Sequence, residues 1–266
     1  MYIDDDSDRD DNGQPAPPPR VPTAEDAARA VRRVADSAFP GAWAIVVGGS
    51  LMRGAGTPTS DADVLVLTDD ARAPYRHSLV FCGQRVEAFV HTVVSYQAYA
   101  ASDCASGTPI LPTICAEGRV LWDHRGTLPV LREEARRAIA AGPPALSGEQ
   151  IDDYRYFLTD LVEDLEGFQA VPGAADGERR WVAHALAVKL ADFQLRRAGR
   201  WSGTGKWLYR QLHAADPAGA ARLLAASAAA SAGQVGPLVA LADEVLAASG
   251  GRLFHGYWRA GPMPPP

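Results

Sequence analysis

The stretch VVGGSLMRGAGTPTSDADVLVL, residues 46–67, decides the fold of this chain. An apolar run leads into Gly48-Gly49-Ser50, and two acids, Asp61 and Asp63, stand one residue apart beside a second apolar run. Side chains of a strand alternate between its two faces, so the pattern predicts both acids on one face. Two carboxylates on a buried face repel each other and lose hydration, which a bound cation offsets. The spacing therefore predicts a divalent cation site.

The glycine-serine loop before these acids fits the phosphates that would accompany the metal. Mg²⁺ takes oxygen ligands, commonly one or two carboxylates together with substrate phosphates. Glycine lets the backbone N–H groups of Gly49 and Ser50 approach phosphate oxygens closely, and the Ser50 hydroxyl can donate a further hydrogen bond. Leu51–Arg53 is predicted as a short helical start, whose dipole would favour an anion. Arg53, one turn further on, can also reach a phosphate.

A third acid, Glu87, lies inside another apolar stretch, RVEAFVHT at residues 85–92. Alternation predicts that Phe89 and His91 share its face of the strand. We interpret His91 as a structural histidine. Three carboxylates can hold two metal ions, which together activate an attacking oxygen and stabilise the leaving one. Asp61, Asp63 and Glu87 are therefore predicted as the metal ligands and catalytic residues of a site with two Mg²⁺ ions.

These three elements, GGSLMRG, SDADVLV and RVEAFV, resemble the nucleotidyltransferases of the DNA polymerase beta superfamily in order and spacing over residues 45–90. The layout of the whole chain resembles the aminoglycoside (kanamycin) nucleotidyltransferase branch, whose second domain is a helical bundle. The resemblance implies transfer of a nucleoside monophosphate from a nucleoside triphosphate to a hydroxyl, with release of pyrophosphate. It also implies that Asp61 and Asp63 bind Mg²⁺, with Glu87 as a further ligand or as the base.

Composition shifts along the chain predict its domains. Residues 1–22 are Asp-rich and then Pro-rich, which predicts a disordered tail, and residues 262–266 are also Pro-rich. Residues 23–142 mix strands and helices and predict an α/β (α+β) domain with a mixed sheet. Residues 147–258 show helical periodicity throughout and predict an all-α helical bundle domain. The predicted elements of the first domain are helices over 23–39, 94–104 and 128–141, strands over 42–47, 62–68 and 119–122, and a hairpin over 78–92.

A lysine of the predicted helical domain is a candidate phosphate ligand. In WSGTGKWLYRQL, residues 201–212, a Gly-rich loop precedes Lys206 at the start of a helix. Lys206 resembles the lysine that helical domains of this superfamily offer to the phosphates of the nucleotide. Lys189 is the alternative.

Three acids of the first helix in that domain form a further candidate site. Asp153, Asp160 and Asp164 are spaced by seven and four residues, which places them on one helix face. They are either a solvated acidic face or a wall that binds a cationic acceptor, with one of them as the base. The sequence leaves open whether this base is one of them or Glu87.

Charge and composition exclude some classes of function. Residues 1–12 hold six aspartates and one arginine, so they contribute −5 to the net charge of −6 and the remainder is nearly neutral. Long nucleic acid is therefore not an expected partner, because neutralising its phosphates takes a basic stripe. No apolar run is long enough for a membrane helix, and no signal pattern or paired-cysteine framework is present. We expect a cytoplasmic protein that does not bind membranes.

The sequence as a whole predicts a Mg²⁺-dependent nucleotidyltransferase. The predicted donor is an NTP, favouring ATP, and the predicted acceptor is a hydroxyl of a small molecule such as an aminoglycoside-like antibiotic. Two alternatives remain open. One is nucleotidylation of a macromolecule, a protein or tRNA, as in toxin–antitoxin systems. The other is a nucleotide-binding regulator without turnover.

Overall fold

The computed structural model describes residues 20–170 and 176–261. Residues 1–19 of the predicted N-terminal tail and the C-terminal residues 262–266 lie outside this range. The chain divides into two compact units. The first runs to Asp103 and resumes over Pro109–Ala141, and the second comprises Cys104–Thr108 and the chain from Gly142 onward.

The first unit is built on a five-stranded sheet with helices on both faces. Thr23 caps the first helix through a capping box with Asp26. The last residues of α2, from Cys104, count with the second unit. In chain order the elements are α1 (Ala24–Ala38), β1 (Ala44–Gly48), β2 (Ala62–Leu67), β3 (Tyr75–Phe81), β4 (Gln84–His91), α2 (Val93–Ser106), α3 (Ile110–Glu117), β5 (Arg119–Asp123) and α4 (Leu128–Ala141).

The strand order is β3-β4-β2-β1-β5. β2 pairs with β4 in parallel, whereas the β1–β2, β1–β5 and β3–β4 pairs are antiparallel, so the predicted mixed sheet is confirmed. The hairpin between β3 and β4 turns at Cys82 and Gly83, which both have positive φ, a conformation that fits a two-residue turn. The parallel pair β2–β4 brings the predicted acidic strands side by side at the centre of the sheet.

The two faces of the sheet carry different cores. Ala62, Val64 and Val66 of β2 pack with α1 on one face. Leu65 and Leu67 pack on the other face with residues of α2, α3 and α4. This alternation places Asp63 on the second face, as the sequence predicts. Its carboxylate lies at the end of β2 where that apolar core stops.

Two features of the first unit differ from the sequence expectations. Leu51–Arg53, predicted as a helical start, forms hydrogen-bonded turns, with Gly54 N–H donating to the Leu51 carbonyl at 3.2 Å. Gly54 then adopts φ +65°, which ends the turn before a helix can propagate. No helix dipole therefore supports this loop. Helix α3 was not predicted from the sequence.

Within the described residues of the second unit, no strand is present beyond Gly142, and five helices follow one another. Apolar residues of all five share one buried cluster, which includes Leu158, Leu186, Leu208, Leu223 and Leu238. The helices are α5 (Gly148–Ala170), α6 (Asp176–Arg197), α7 (Lys206–Ala215), α8 (Pro217–Ser231) and α9 (Gly236–Ala247). Across the described residues of both units, every helix is too short or too polar to cross a membrane.

Candidate active site

Three carboxylates of the first unit meet at one end of the sheet. Oxygens of Asp61, Asp63 and Glu87 all lie within 4.8 Å of one another, and the three residues are half-buried. Asp63 of β2 stands beside Glu87 of β4 in the parallel register, which points both side chains to the same face. Asp61 directly precedes β2, in agreement with the strand predicted to begin at residue 62.

Gly49 forms the wall behind these acids. Gly48, the last residue of β1, is paired with Asp63, so the loop that follows turns directly over the acidic end of β2. Gly49 has φ +88°, and a Cβ atom at this position would lie 2.2 Å from Oδ2 of Asp63. The carboxylate of Asp63 therefore packs against backbone that only glycine leaves accessible. The conformation of the loop at Gly49 and the position of the Asp63 carboxylate therefore depend on each other.

The hydroxyl of Ser50 holds the loop to the segment that carries the acids. Ser50 is 4% exposed, and its Oγ donates to Oγ of Ser60 at 3.2 Å. Ser60 in turn accepts a hydrogen bond from the N–H of Thr57 at 2.8 Å. These hydrogen bonds connect the two ends of the segment 50–60 to each other. They involve the hydroxyl that the sequence predicts as a phosphate ligand, and that role stays a prediction.

Arg76 is a residue of this site that sequence reasoning missed. Its guanidinium forms an ion pair with Glu87 at 2.8 Å and lies over the ring of Phe89 at 4.6 Å. Arg76 is opposite Phe89 across the β3–β4 pair, so Glu87 is its diagonal neighbour. Only the register of the hairpin brings the two together. Arg76 offsets part of the negative charge of the cluster.

Arg53, predicted to reach a phosphate, lies on the exposed side of the loop. Its Nε is 3.3 Å from a carboxylate oxygen of Glu117, at the end of α3. Both side chains are well exposed, so this ion pair contributes little to stability and can exchange for another anion. The predicted phosphate contact of Arg53 is compatible with this position and remains a prediction.

The predicted lysine belongs to the second unit. Lys206 is the first residue of α7, it is exposed, and it forms no ion pair within the described part of the chain. A cation at a helix N-terminus interacts unfavourably with the helix dipole. Lys206 therefore does not stabilise α7 through the dipole. Lys189, the alternative, is half-buried on α6, with its ammonium 5.2 Å from the Tyr154 ring centroid and 5.1 Å from that of Phe157.

The three acids of α5 have different surroundings. Asp153 accepts a hydrogen bond from the hydroxyl of Tyr257 at 2.9 Å and pairs with Arg259 at 2.9 Å. Asp160 and Asp164 are exposed. The segment after α9 therefore already neutralises Asp153, whereas Asp160 and Asp164 remain open to solvent.

The donor set of the first unit fits a hard divalent cation. Such cations prefer carboxylate oxygens, and the three acids supply them from a half-buried position. Arg76, the cation that pairs with Glu87, is itself largely exposed and can leave the carboxylate. Asp61, Asp63 and Glu87 can therefore hold the metal beside the loop at Gly49.

Comparison with known families agrees with this geometry. Residues 29–99 match the family model described as a nucleotidyltransferase domain. This part of the chain is similar to a nucleotidyltransferase domain. The matched range contains all three acids, the Gly49–Ser50 loop and Arg76, and it ends within α2. A domain of this kind supports a transferase and implies an NTP substrate, while the second unit lies outside the match.

Comparisons over the full length of the chain give no sequence match and a distant structural similarity. No curated protein sequence matches it. Among solved structures, it is similar to a nucleotidyltransferase-like protein from Exiguobacterium sibiricum, with 12% sequence identity and a TM-score of 0.46. The similarity covers 83% of this chain and 74% of that one. The similarity to a nucleotidyltransferase domain therefore rests on the family match over residues 29–99.

Proposed function

We propose that this protein transfers a nucleoside monophosphate from an NTP, ATP in the first instance, to a hydroxyl of a small molecule, releasing pyrophosphate in a Mg²⁺-dependent reaction. The observation that carries the proposal is the convergence of Asp61, Asp63 and Glu87 within 4.8 Å beside the loop at Gly49. The resemblance to the aminoglycoside branch suggests an acceptor such as an aminoglycoside-like antibiotic.

The residues of the first unit take defined roles in this reaction. The acceptor hydroxyl oxygen attacks the α-phosphorus, and the bond to the bridging oxygen of the leaving pyrophosphate breaks. The hydroxyl proton passes to a carboxylate, which we assign to Glu87 because it lies within the cluster. Asp61 and Asp63 would hold Mg²⁺, which neutralises the charge that develops on the phosphate oxygens. Gly49 and Ser50 offer backbone N–H groups to the triphosphate.

The helical unit is proposed to bind the acceptor and the far end of the nucleotide. Lys206 would contact the triphosphate, since it is exposed, charged and free of ion pairs within the described residues. Asp160 and Asp164 would attract amino groups of a cationic acceptor. Asp153 is less suited to that task, because Tyr257 and Arg259 already occupy its carboxylate.

Replacing Lys206 with alanine is expected to weaken nucleotide binding by about 1–3 kcal/mol, the range for a hydrogen bond to a charged group. Lys206→Arg should restore the affinity only in part, because a planar fork replaces a compact ammonium. Titration calorimetry with a non-hydrolysable NTP analogue and Mg²⁺ measures the nucleotide affinity of both variants. Unchanged affinity in Lys206→Ala, together with weakened binding in Lys189→Ala, would transfer the role to Lys189.

Pyrophosphate release by the purified full-length protein tests the proposed function. The protein is incubated with Mg²⁺, each of the four NTPs, and a panel of aminoglycosides, other glycosides, tRNA and protein extracts. Release that depends on both Mg²⁺ and a small hydroxyl acceptor is expected. Release only with tRNA or protein would contradict the small-molecule acceptor, and tight nucleotide binding without release under any condition would contradict the enzyme.

A further inference from the structure

A cavity of about 310 Å³ lies in the first unit, on the face of the sheet that carries Glu87. This volume is within the range of small-molecule sites. Its wall combines aromatic rings, including Phe89 and Tyr99, with the polar groups of Arg76, His91 and Asp103. None of the reaction steps described above uses this cavity.

Arg76 connects the cavity to the three acids. It pairs with Glu87 at 2.8 Å and also lines the cavity, where it lies 4.6 Å from the Phe89 ring. Glu87, Phe89 and His91 alternate along β4, so Phe89 is about 7 Å and His91 about 13 Å from Glu87 along the strand. A ring with one hydroxyl at Glu87 can therefore extend along β4 towards Phe89.

His91 offers the cavity a polar group that the fold does not use. The residue is 4% exposed, and its Nδ1 is 3.2 Å from Oγ of Ser95, while its ring meets Tyr99 edge-on at 5.2 Å. Nε2 has no hydrogen-bond partner within the described residues. Burial lowers the pKa of His91, so the imidazole is neutral near pH 7. A ring nitrogen that has no partner and borders a cavity is suited to a hydrogen bond with a ligand hydroxyl.

The charges around the cavity disfavour a cation. Arg76 brings a guanidinium to its wall. Asp103 is already engaged, since it accepts the Leu111 N–H at 2.8 Å, and burial raises its pKa. An ammonium group in this space would face Arg76, and the carboxylate that lines the cavity, Asp103, already accepts the Leu111 N–H. A neutral ring with hydroxyl groups avoids this repulsion, and its apolar face can pack on Phe89 and Tyr99.

We propose that this cavity binds the ring of the acceptor that carries the reacting hydroxyl, and that this ring is neutral. The inference rests on the proposed function and names the substrate class of that site. Any amino groups of the acceptor would then belong to another part of it. Phe89 and Tyr99 select the ring by packing, and His91 by a hydrogen bond to a ring hydroxyl.

A matched pair of ring probes tests this inference. Methyl glucoside and its 2-amino-2-deoxy analogue differ in that an ammonium group replaces the 2-hydroxyl, and saturation-transfer NMR measures their binding to the full-length protein with Mg²⁺ and a non-hydrolysable NTP analogue. The neutral ring is expected to bind more tightly than the charged one. Tyr99→Ala should weaken it about 3- to 10-fold, the worth of one aromatic contact. His91→Asn keeps a polar atom near the Nδ1 position, removes Nε2 and should also weaken binding.

Val94→Ala is the control, because Val94 is 77% exposed on the same helix as Tyr99 and does not line the cavity. Equal binding of the neutral ring by the wild type and Tyr99→Ala, no binding by the wild type, or tighter binding of the charged ring would each overturn the inference. Nucleotide affinity is measured on the same samples. Normal Mg²⁺–nucleotide binding with a failed ring test removes only this inference, whereas failed nucleotide binding removes the proposed function.

Discussion

Asp63→Asn is expected to abolish nucleotidyl transfer while leaving the fold intact. The change is nearly isosteric, but it removes one ligand charge from a cluster whose oxygens lie within 4.8 Å of one another. Metal stabilisation of transition-state charge contributes several kcal/mol, so we expect turnover to fall by about 10³-fold or more. Pyrophosphate release under saturating NTP and Mg²⁺ measures the loss, and circular dichroism with thermal melting verifies the fold.

Asp36→Asn provides the matched control for this variant, because Asp36 is an exposed aspartate of α1 in the same unit. It should retain full turnover. A folded Asp63→Asn protein with activity within tenfold of the wild type would contradict a metal site that includes Asp63.

Gly49→Ala should reduce turnover about 100-fold, since displacing a catalytic group by roughly 1 Å costs on that order. The new Cβ would lie 2.2 Å from Oδ2 of Asp63, so either the carboxylate or the loop has to shift. Positive φ adds a separate cost of about 1–2 kcal/mol in stability for any residue other than glycine. Metal affinity and turnover should fall together.

Gly54→Ala separates these two effects. Gly54 also has positive φ, at +65°, but a Cβ there would meet nothing within 4 Å. Both variants should lose similar stability in thermal melts, and only Gly49→Ala should lose activity and metal binding. Similar activity in the two variants would mean that contact between Gly49 and Asp63 does not shape the site.

The positions of the three acids followed from short-range patterns in the sequence. Asp61 and Asp63 stand one residue apart beside an apolar run, so period-2 alternation predicts their common face, and Glu87 stands out as an acid that interrupts another apolar run. The Gly-rich loop before Lys206 predicts a helix start, and α7 begins at that residue. Signals of this kind are local, and a single sequence is enough to interpret them.

Features that depend on pairing between distant segments could not be predicted in the same way. The ion pair of Arg76 with Glu87 exists because of the β3–β4 register, which no spacing rule reveals. Helix α3 is almost entirely apolar and contains Pro112, so it has no polar face to produce a helical period. The loop at Leu51–Arg53 shows helical spacing, but the positive φ of Gly54 ends it as a turn.

Anomalous diffraction tests whether Asp61 and Asp63 hold the metal beside the nucleotide. It uses crystals of the full-length protein, grown with Mn²⁺ and a non-hydrolysable NTP analogue. Mn²⁺ substitutes for Mg²⁺ at oxygen-ligand sites and scatters anomalously. We expect an anomalous peak about 2.0–2.2 Å from carboxylate oxygens of Asp61 and Asp63. We also expect the triphosphate to lie against the backbone of Gly49 and Ser50. Nucleotide bound elsewhere, or bound at this loop with no metal at the two aspartates, would contradict it.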